Sequence, residues 1–148
     1  MVVGGRRARQ GHHRRRRRTR GNRTGALDAA VAYASARDQF GAPIATYQAL
    51  AHRLADMAID TESAELAVEE AIDAPTPQNA SRAKVIANEA AFRVAAGLHQ
   101  INGGLGFYAD QTPRLYYARA LALRVEMGDS RTHRLRLARS LAYPAERL

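Results

Sequence analysis

From Pro43 to Asp73 the chain reads PIATYQALAHRLADMAIDTESAELAVEEAID, and this stretch decides the fold. Tyr47, Leu50, Leu54, Met57, Thr61, Ala64, Val68 and Ala71 follow one another at alternating steps of three and four residues. That spacing lines one side of an α-helix and forms the seam between helices packed nearly parallel to one another. A solitary surface helix of this length is unusual in water, so the seam predicts a bundle. Pro43 suits the first turn of that helix.

Working outward, Leu27, Ala30, Val31 and Ala34 lie at helical spacing between Ala26 and Arg37, and the turn Gln39-Phe40-Gly41-Ala42-Pro43 ends this first helix. On the other side Pro75-Thr76-Pro77 breaks the chain, with Thr76 placed to cap a third helix and Pro77 at its first position. That helix runs to about Gln100 with an inward stripe of Ala83, Ala87, Ala90, Val94, Leu98 and Ile101, whose alanines permit close backbone approach. Asn102-Gly103-Gly104-Leu105-Gly106 forms a loop, Thr112-Pro113 restarts a helix, and Leu135, Leu137 and Leu141 close the domain near Pro144. No run of strict alternation supports a β-strand. The expected fold is all-α, an antiparallel four-helix-type bundle of four or five helices over residues 26–148.

The chain has 148 residues, 46% hydrophobic, which suits one domain. Cys is absent, which excludes disulfides, thiolate metal sites and a Cys nucleophile together. No apolar run approaches a membrane span, and the start MVVGGRRARQ lacks the apolar core of a secretory signal. A cytoplasmic protein is expected.

The net charge of +9 is unevenly placed. Ten Arg fall within residues 1–25, which hold no acid; the remaining 13 basic residues face 14 Asp and Glu, leaving a body of net −1. The tail's composition predicts disorder in isolation. It could act as a basic arm on nucleic acid or anionic lipid, and a mitochondrial transit peptide is disfavoured by the missing Ser and amphipathic Leu or Phe. The 22 Arg against the single Lys84 point to GC-rich coding, and the tail reads best as a frameshift or mis-assigned start.

Few side chains suggest chemistry by type alone. His52, His99 and His133 lack i, i+4 pairing and read as solvated or hydrogen-bonded, so no metal site is expected. Glu62, Glu65, Glu69 and Glu70 read as helix surface charge. Gly103-Gly104-Leu105-Gly106 fails as a dinucleotide fingerprint because a helix, not a strand, precedes it. It remains either a helix terminus needing positive φ or a backbone N–H surface for a ligand. Arg37 serves the helix dipole or clamps a phosphate, and Phe40 is core or a stacking surface.

Taken together, Arg37-x-Gln39-Phe40-Gly41, Gln48, HRLADMA from His52, and Gln100-x-x-Gly103-Gly104-x-Gly106-Phe107 resemble, in this order, the C-terminal helical domain of the FAD-dependent acyl-CoA dehydrogenases. The resemblance spans about Ala26 to Ala142. It implies a bundle that builds the dimer and tetramer interface, with FAD between subunits. Arg37 would approach the FAD pyrophosphate, Gln39 and Phe40 would line the flavin and its adenosine side with Gln48 nearby, and Gln100, Gly103 and Gly104 would contact FAD held mainly by the neighbouring subunit. The implied reaction removes an α-proton from an acyl-CoA thioester while the β-hydride passes to the flavin.

The sequence departs from the family where that proton is taken. Aligning the family's Tyr-Glu-Gly-Thr segment with Glu126-Met127-Gly128-Asp129-Ser130 puts Met127 at the base position, and a thioether cannot accept the proton. Glu126, one place off, points about 100° away on a helix. The family's other base position, near the start of the first bundle helix, falls in the Arg-rich tail. The family's N-terminal helical and middle β-domains have no counterpart here, so the chain resembles a truncated member, inactive alone. The ending Met-Gly-Asp-Ser-Arg-Thr-His-Arg resembles members that pair a base-containing subunit with a base-lacking one. Two further classes stay open: a helical oligomerisation module for full-length acyl-CoA dehydrogenase subunits, and, last, a nucleic-acid binder through the basic arm.

Overall fold

The computed structural model describes residues 25–104 and 112–142. The Arg-rich tail, the Leu105 to Phe107 part of the glycine motif and Pro144 lie outside the described residues. The elements are α1 (25–36), β1 (Asp38–Gln39), β2 (Ala42–Pro43), a 3-10 turn (Ile44–Thr46), α2 (Gln48–Asp73), α3 (Pro77–Asn102), α4 (Thr112–Val125) and α5 (Ser130–Ala142). The all-α class expected from the seam is the class observed.

The break before α3 forms as its residue types dictate. Thr76 is extended, its side chain accepts from the Asn79 backbone N–H at 3.1 Å, and Pro77 occupies the first helical turn. The short connection makes α2 and α3 antiparallel neighbours, and their partners run in opposite order. Glu70 pairs with Arg82, Asp60 with Arg93, and Met57 lies where a side chain on Gly97 would sit. A Cβ on Gly97 would stand 2.7 Å from the Met57 sulfur, so the missing side chain makes room for Met57 between the two helices. The expected seam is seen in the burial of Met57, Thr61 and Ala64, with Leu50, Leu54, Val68 and Ala71 half-buried.

One core cluster joins Ala26, Ala30 and Ala34 of α1, Ile44, Met57 of α2, and Val94, Leu98 and Ile101 of α3. Leu98, 1% exposed, stands at its centre; burying such a side chain stabilises by about 1.5–3 kcal/mol. α3 also packs against α4 and α5. Lys84 Nζ donates to the Leu123 carbonyl at 2.9 Å and Asn88 Nδ2 to the Arg124 carbonyl at 3.2 Å, satisfying oxygens that a helix C-terminus leaves without partners. Arg124 lies over the Phe92 ring, 4.6 Å from its centroid. Asp129 caps α5, accepting from the Thr132 N–H at 2.8 Å.

Four details differ from the sequence reading. Pro43 ends β2 and precedes the 3-10 turn rather than starting α2; Tyr47 is extended at φ −79 and ψ 127, which delays the helix to Gln48. A two-residue antiparallel pair, with Gln39 opposite Ala42, replaces the expected simple turn, too short to show any alternation. Val31 is 43% exposed, because α1 buries Ala26, Ala30 and Ala34 at steps of four instead. Leu135 and Leu141 are 50% and 81% exposed, while α5 turns Ser130 and His133 inward.

Candidate functional site

The link from α1 to α2 is a hairpin whose loop is Phe40-Gly41, with φ +55 and +86. Positive φ at both positions is the primed turn that matches the twist of a two-residue hairpin. Glycine is suited to it and phenylalanine is not, since a bulky side chain at positive φ is strained. The surroundings hold the strain in place. Tyr47 Oη donates to the Gln39 carbonyl at 2.7 Å, the Ile44 N–H donates to the Arg37 carbonyl at 2.8 Å, and the Tyr47 ring meets Phe40 edge-on with centroids 6.4 Å apart. Despite this, Phe40 is 96% exposed. Burial therefore does not explain the ring, which is displayed outward on a strained backbone.

Around it, Arg37 and Gln48 are exposed, and Gln39 folds its side chain back to donate to the Asp38 carbonyl at 2.7 Å. Antiparallel packing brings the end of α3 beside this hairpin, since Ile44 and Ile101 share the core cluster. There Gln100 is exposed, Gly103 takes φ +59 with its N–H on the Gln100 carbonyl, and among the described residues beyond the chain neighbours no atom lies within 4 Å of a Cβ placed on Gly103 or Gly104. Arg37, Gln39, Phe40, Gln48, Gln100, Gly103 and Gly104 thus share one end of the α2–α3 pair. Phe40 protrudes from it, 96% exposed.

Met127 stands apart from this group. It lies on the turn between α4 and α5 at φ +59, 85% exposed, followed by Gly128 at φ +104. His133 Nε2 donates to the Met127 carbonyl at 3.1 Å and fixes the turn. This turn follows directly on Arg124, which Asn88 holds. Asn88 is 14 residues before Asn102 on α3, so the two patches differ by ~21 Å in level along the bundle.

Sequence reasoning missed Tyr47 as the anchor of the hairpin and His133 as the support of the Met127 turn. The first carried a usable cue, an aromatic just before a helix start. The second carried none, because it depends on how α5 is rotated. Of the other histidines, His99 packs its ring against Tyr117 with centroids 5.7 Å apart, and His52 is exposed. Among the described residues no three His, Asp or Glu side chains converge on a metal position. Glu70 is surface charge as expected, whereas Glu65 is half-buried with Oε1 shielded from solvent. No described helix is long and apolar enough to cross a membrane.

The hairpin, the glycine-ended α3 and the order of the five described helices define an all-α bundle, and comparison with known proteins bears on its family. The family described as "Acyl-CoA dehydrogenase, C-terminal domain" matches residues 16–142; the chain belongs to this family. The match opens inside the Arg-rich stretch, ten residues ahead of Ala26. The acyl-CoA dehydrogenase IpdE2 of Mycobacterium tuberculosis is 42% identical over 94 residues, covering 64% of this chain and 30% of the relative. A 3-sulfinopropanoyl-CoA desulfinase of Paraburkholderia xenovorans is 43% identical over 90 residues, covering 58% and 23%. Among solved structures, the ChsE4-ChsE5 complex of Mycobacterium tuberculosis superposes with a TM-score of 0.76 at 31% identity, covering 84% of this chain and 36% of the other. The chain thus spans about a third or less of the length of these relatives.

Proposed function

We propose that this domain supplies partner-side contacts to FAD in an assembly with full-length acyl-CoA dehydrogenase subunits, as homo- or hetero-oligomer, and contributes no catalytic base of its own. The observation that carries the reading is Phe40, a strained ring 96% exposed beside Arg37 and the open Gly103-Gly104 backbone. These residue types fit the group: a guanidinium takes a pyrophosphate bidentately, an aromatic face takes a ring system, and glycine backbone allows close approach. Phe40, Arg37, Gln48 and Gln100 are all exposed, so these residues would grip a cofactor only when a second surface, that of another subunit, closes over them. FAD bound there supplies the hydride acceptor for α,β-dehydrogenation of an acyl-CoA. The residues of this chain orient it and exclude water.

The Met127 turn supports the second half of the proposal. Its thioether accepts no proton, its carbonyl is taken by His133, and Glu126 lies one residue earlier on the same turn. The likeness to a desulfinase as well as to dehydrogenases supports a domain that leaves the choice of reaction to other parts of the enzyme. The test is Met127→Glu in the reconstituted flavin-containing complex. A gain of acyl-CoA-dependent dye reduction supports the assignment of Met127 to the base position; bound flavin with no gain contradicts it.

A non-enzymatic oligomerisation module is the second reading. Ile59, Leu66 and Ile72 on α2 and Leu115 and Val125 on α4 are each more than half exposed, an apolar surface of the kind that assembly covers. Sedimentation at tens of micromolar tests it: self-association supports an assembly role, and a clean monomer contradicts it.

A further inference from the structure

α5 differs from the other described helices in what holds it. α1, α2 and α3 supply the buried cluster around Leu98 and α4 packs Tyr116 against it, whereas no described residue of α5 belongs to that cluster or packs on it. The residues that α5 buries are Ser130 and His133. Ser130 Oγ and His133 Nδ1 have no hydrogen-bond partner among the described residues, so their burial carries a desolvation cost. Leu135 and Leu141 are exposed and Leu137 is half-buried. The apolar burial that fastens the other helices is therefore largely missing from this one.

Its polar contacts are mostly its own. Asp129 caps its start, His133 bonds the Met127 carbonyl just ahead of it, and Ser140 Oγ donates to the Leu137 carbonyl. What ties it to α3 is the pair Arg134–Glu89, with side chains 60% and 25% exposed. Ion pairs this open are weak and are screened by salt. Glu89 also lies 3.9 Å from Arg93, so without its carboxylate α3 offers Arg134 a cation instead. Arg93 itself stays bidentate to Asp60 of α2. The chain enters α5 through Met127 and Gly128, at φ +59 and +104, and a glycine leaves such a turn free to swing. We propose that α5 is a salt-sensitive latch: it detaches from α3 as one unit about the Met127-Gly128 turn while α1 to α4 stay folded, and Glu89 holds it shut. Elements with few buried apolar contacts open below the free energy of global unfolding. The latch rests on the bundle alone and is independent of the flavin reading.

Hydrogen exchange of the full chain, resolved along the sequence by mass spectrometry and corrected for intrinsic rates, tests it. The amides of α5 are expected to exchange about a hundredfold faster than those in the middle of α3, with one common protection from Arg134 to Ser140. Raising salt from about 0.05 M to about 0.5 M should speed α5 by about twofold and leave α3 unchanged. Glu89→Gln should speed α5 by about threefold or more and remove its salt response, with α2 and α3 unaltered. Arg134→Gln should do the same, and the double variant should add nothing to either single one. Protection of α5 equal to that of α3 overturns the proposal, since the helix would then open only with the whole bundle. So does protection that falls steadily toward Ala142, which is end fraying, and so does a salt response that survives Glu89→Gln.

Discussion

Replacing Phe40 with Asn separates the backbone of the hairpin from the ring it displays. The left-handed conformation at φ +55 disfavours an ordinary L-residue by about 1–2 kcal/mol, whereas Asn enters it routinely. Because the ring is 96% exposed, its removal uncovers almost nothing. The edge contact with Tyr47 at 6.4 Å contributes about 0.5 kcal/mol at so open a site. Phe40→Asn is therefore expected to gain about 0.5–1.5 kcal/mol. Phe40→Ala loses the contact without relieving the backbone and is expected to fall by about 0.5 kcal/mol. Urea unfolding followed by helical circular dichroism, at unchanged slope, reads both. An Asn variant no more stable than the Ala variant would refute the strain argument. Both variants should weaken flavin retention in the assembly equally, so that stability rises in one while binding falls in both, the trade expected where a contact surface is built on a strained turn.

Arg37→Ala should weaken FAD in the reconstituted assembly by about 1.5–3 kcal/mol, read by flavin fluorescence, through loss of a charge-assisted phosphate contact. Leu98→Ala, at a site 1% exposed, should cost about 2–5 kcal/mol in chemical denaturation. Asp129 is held below the ordinary aspartate range by the Thr132 hydroxyl and then by the Thr132 backbone N–H. The unfolded chain thus takes up that proton more readily, and the cap's stabilisation is present above the ordinary value and lost as pH falls through the lowered one. Asp129→Ala should accordingly lower Tm at neutral pH and converge with the unaltered protein in acid.

The long helices were legible because their signals are local and repeated. The seam from Tyr47 to Ala71 and the Thr76-Pro77 start need only the 3.6-residue period and the chemistry of a cap. α5 was misread because Leu135 and Leu137 stand two residues apart, a step that turns helical side chains to opposite faces; sequence could not say that Ser130 and His133 face inward. The hairpin escaped because two-residue strands carry no period, although Phe40-Gly41 before a proline marked a turn. The seven candidate residues from Arg37 to Gly104 were singled out by their order along the chain, and their gathering at one end follows from the antiparallel α2–α3 pair. The separate level of Met127 depends on where α4 crosses α3, at Lys84 and Asn88, and no local pattern encodes that crossing.

The flavin content of the chain before and after assembly tests the partner-side role most directly. Purified alone and incubated with FAD, the chain is predicted to be nearly colourless after gel filtration. Mixed with a full-length acyl-CoA dehydrogenase subunit and FAD, it is predicted to co-elute with that subunit and with flavin absorbance that falls when Arg37 is replaced by Ala. A chain that is yellow by itself, with stoichiometric FAD, would contradict the account.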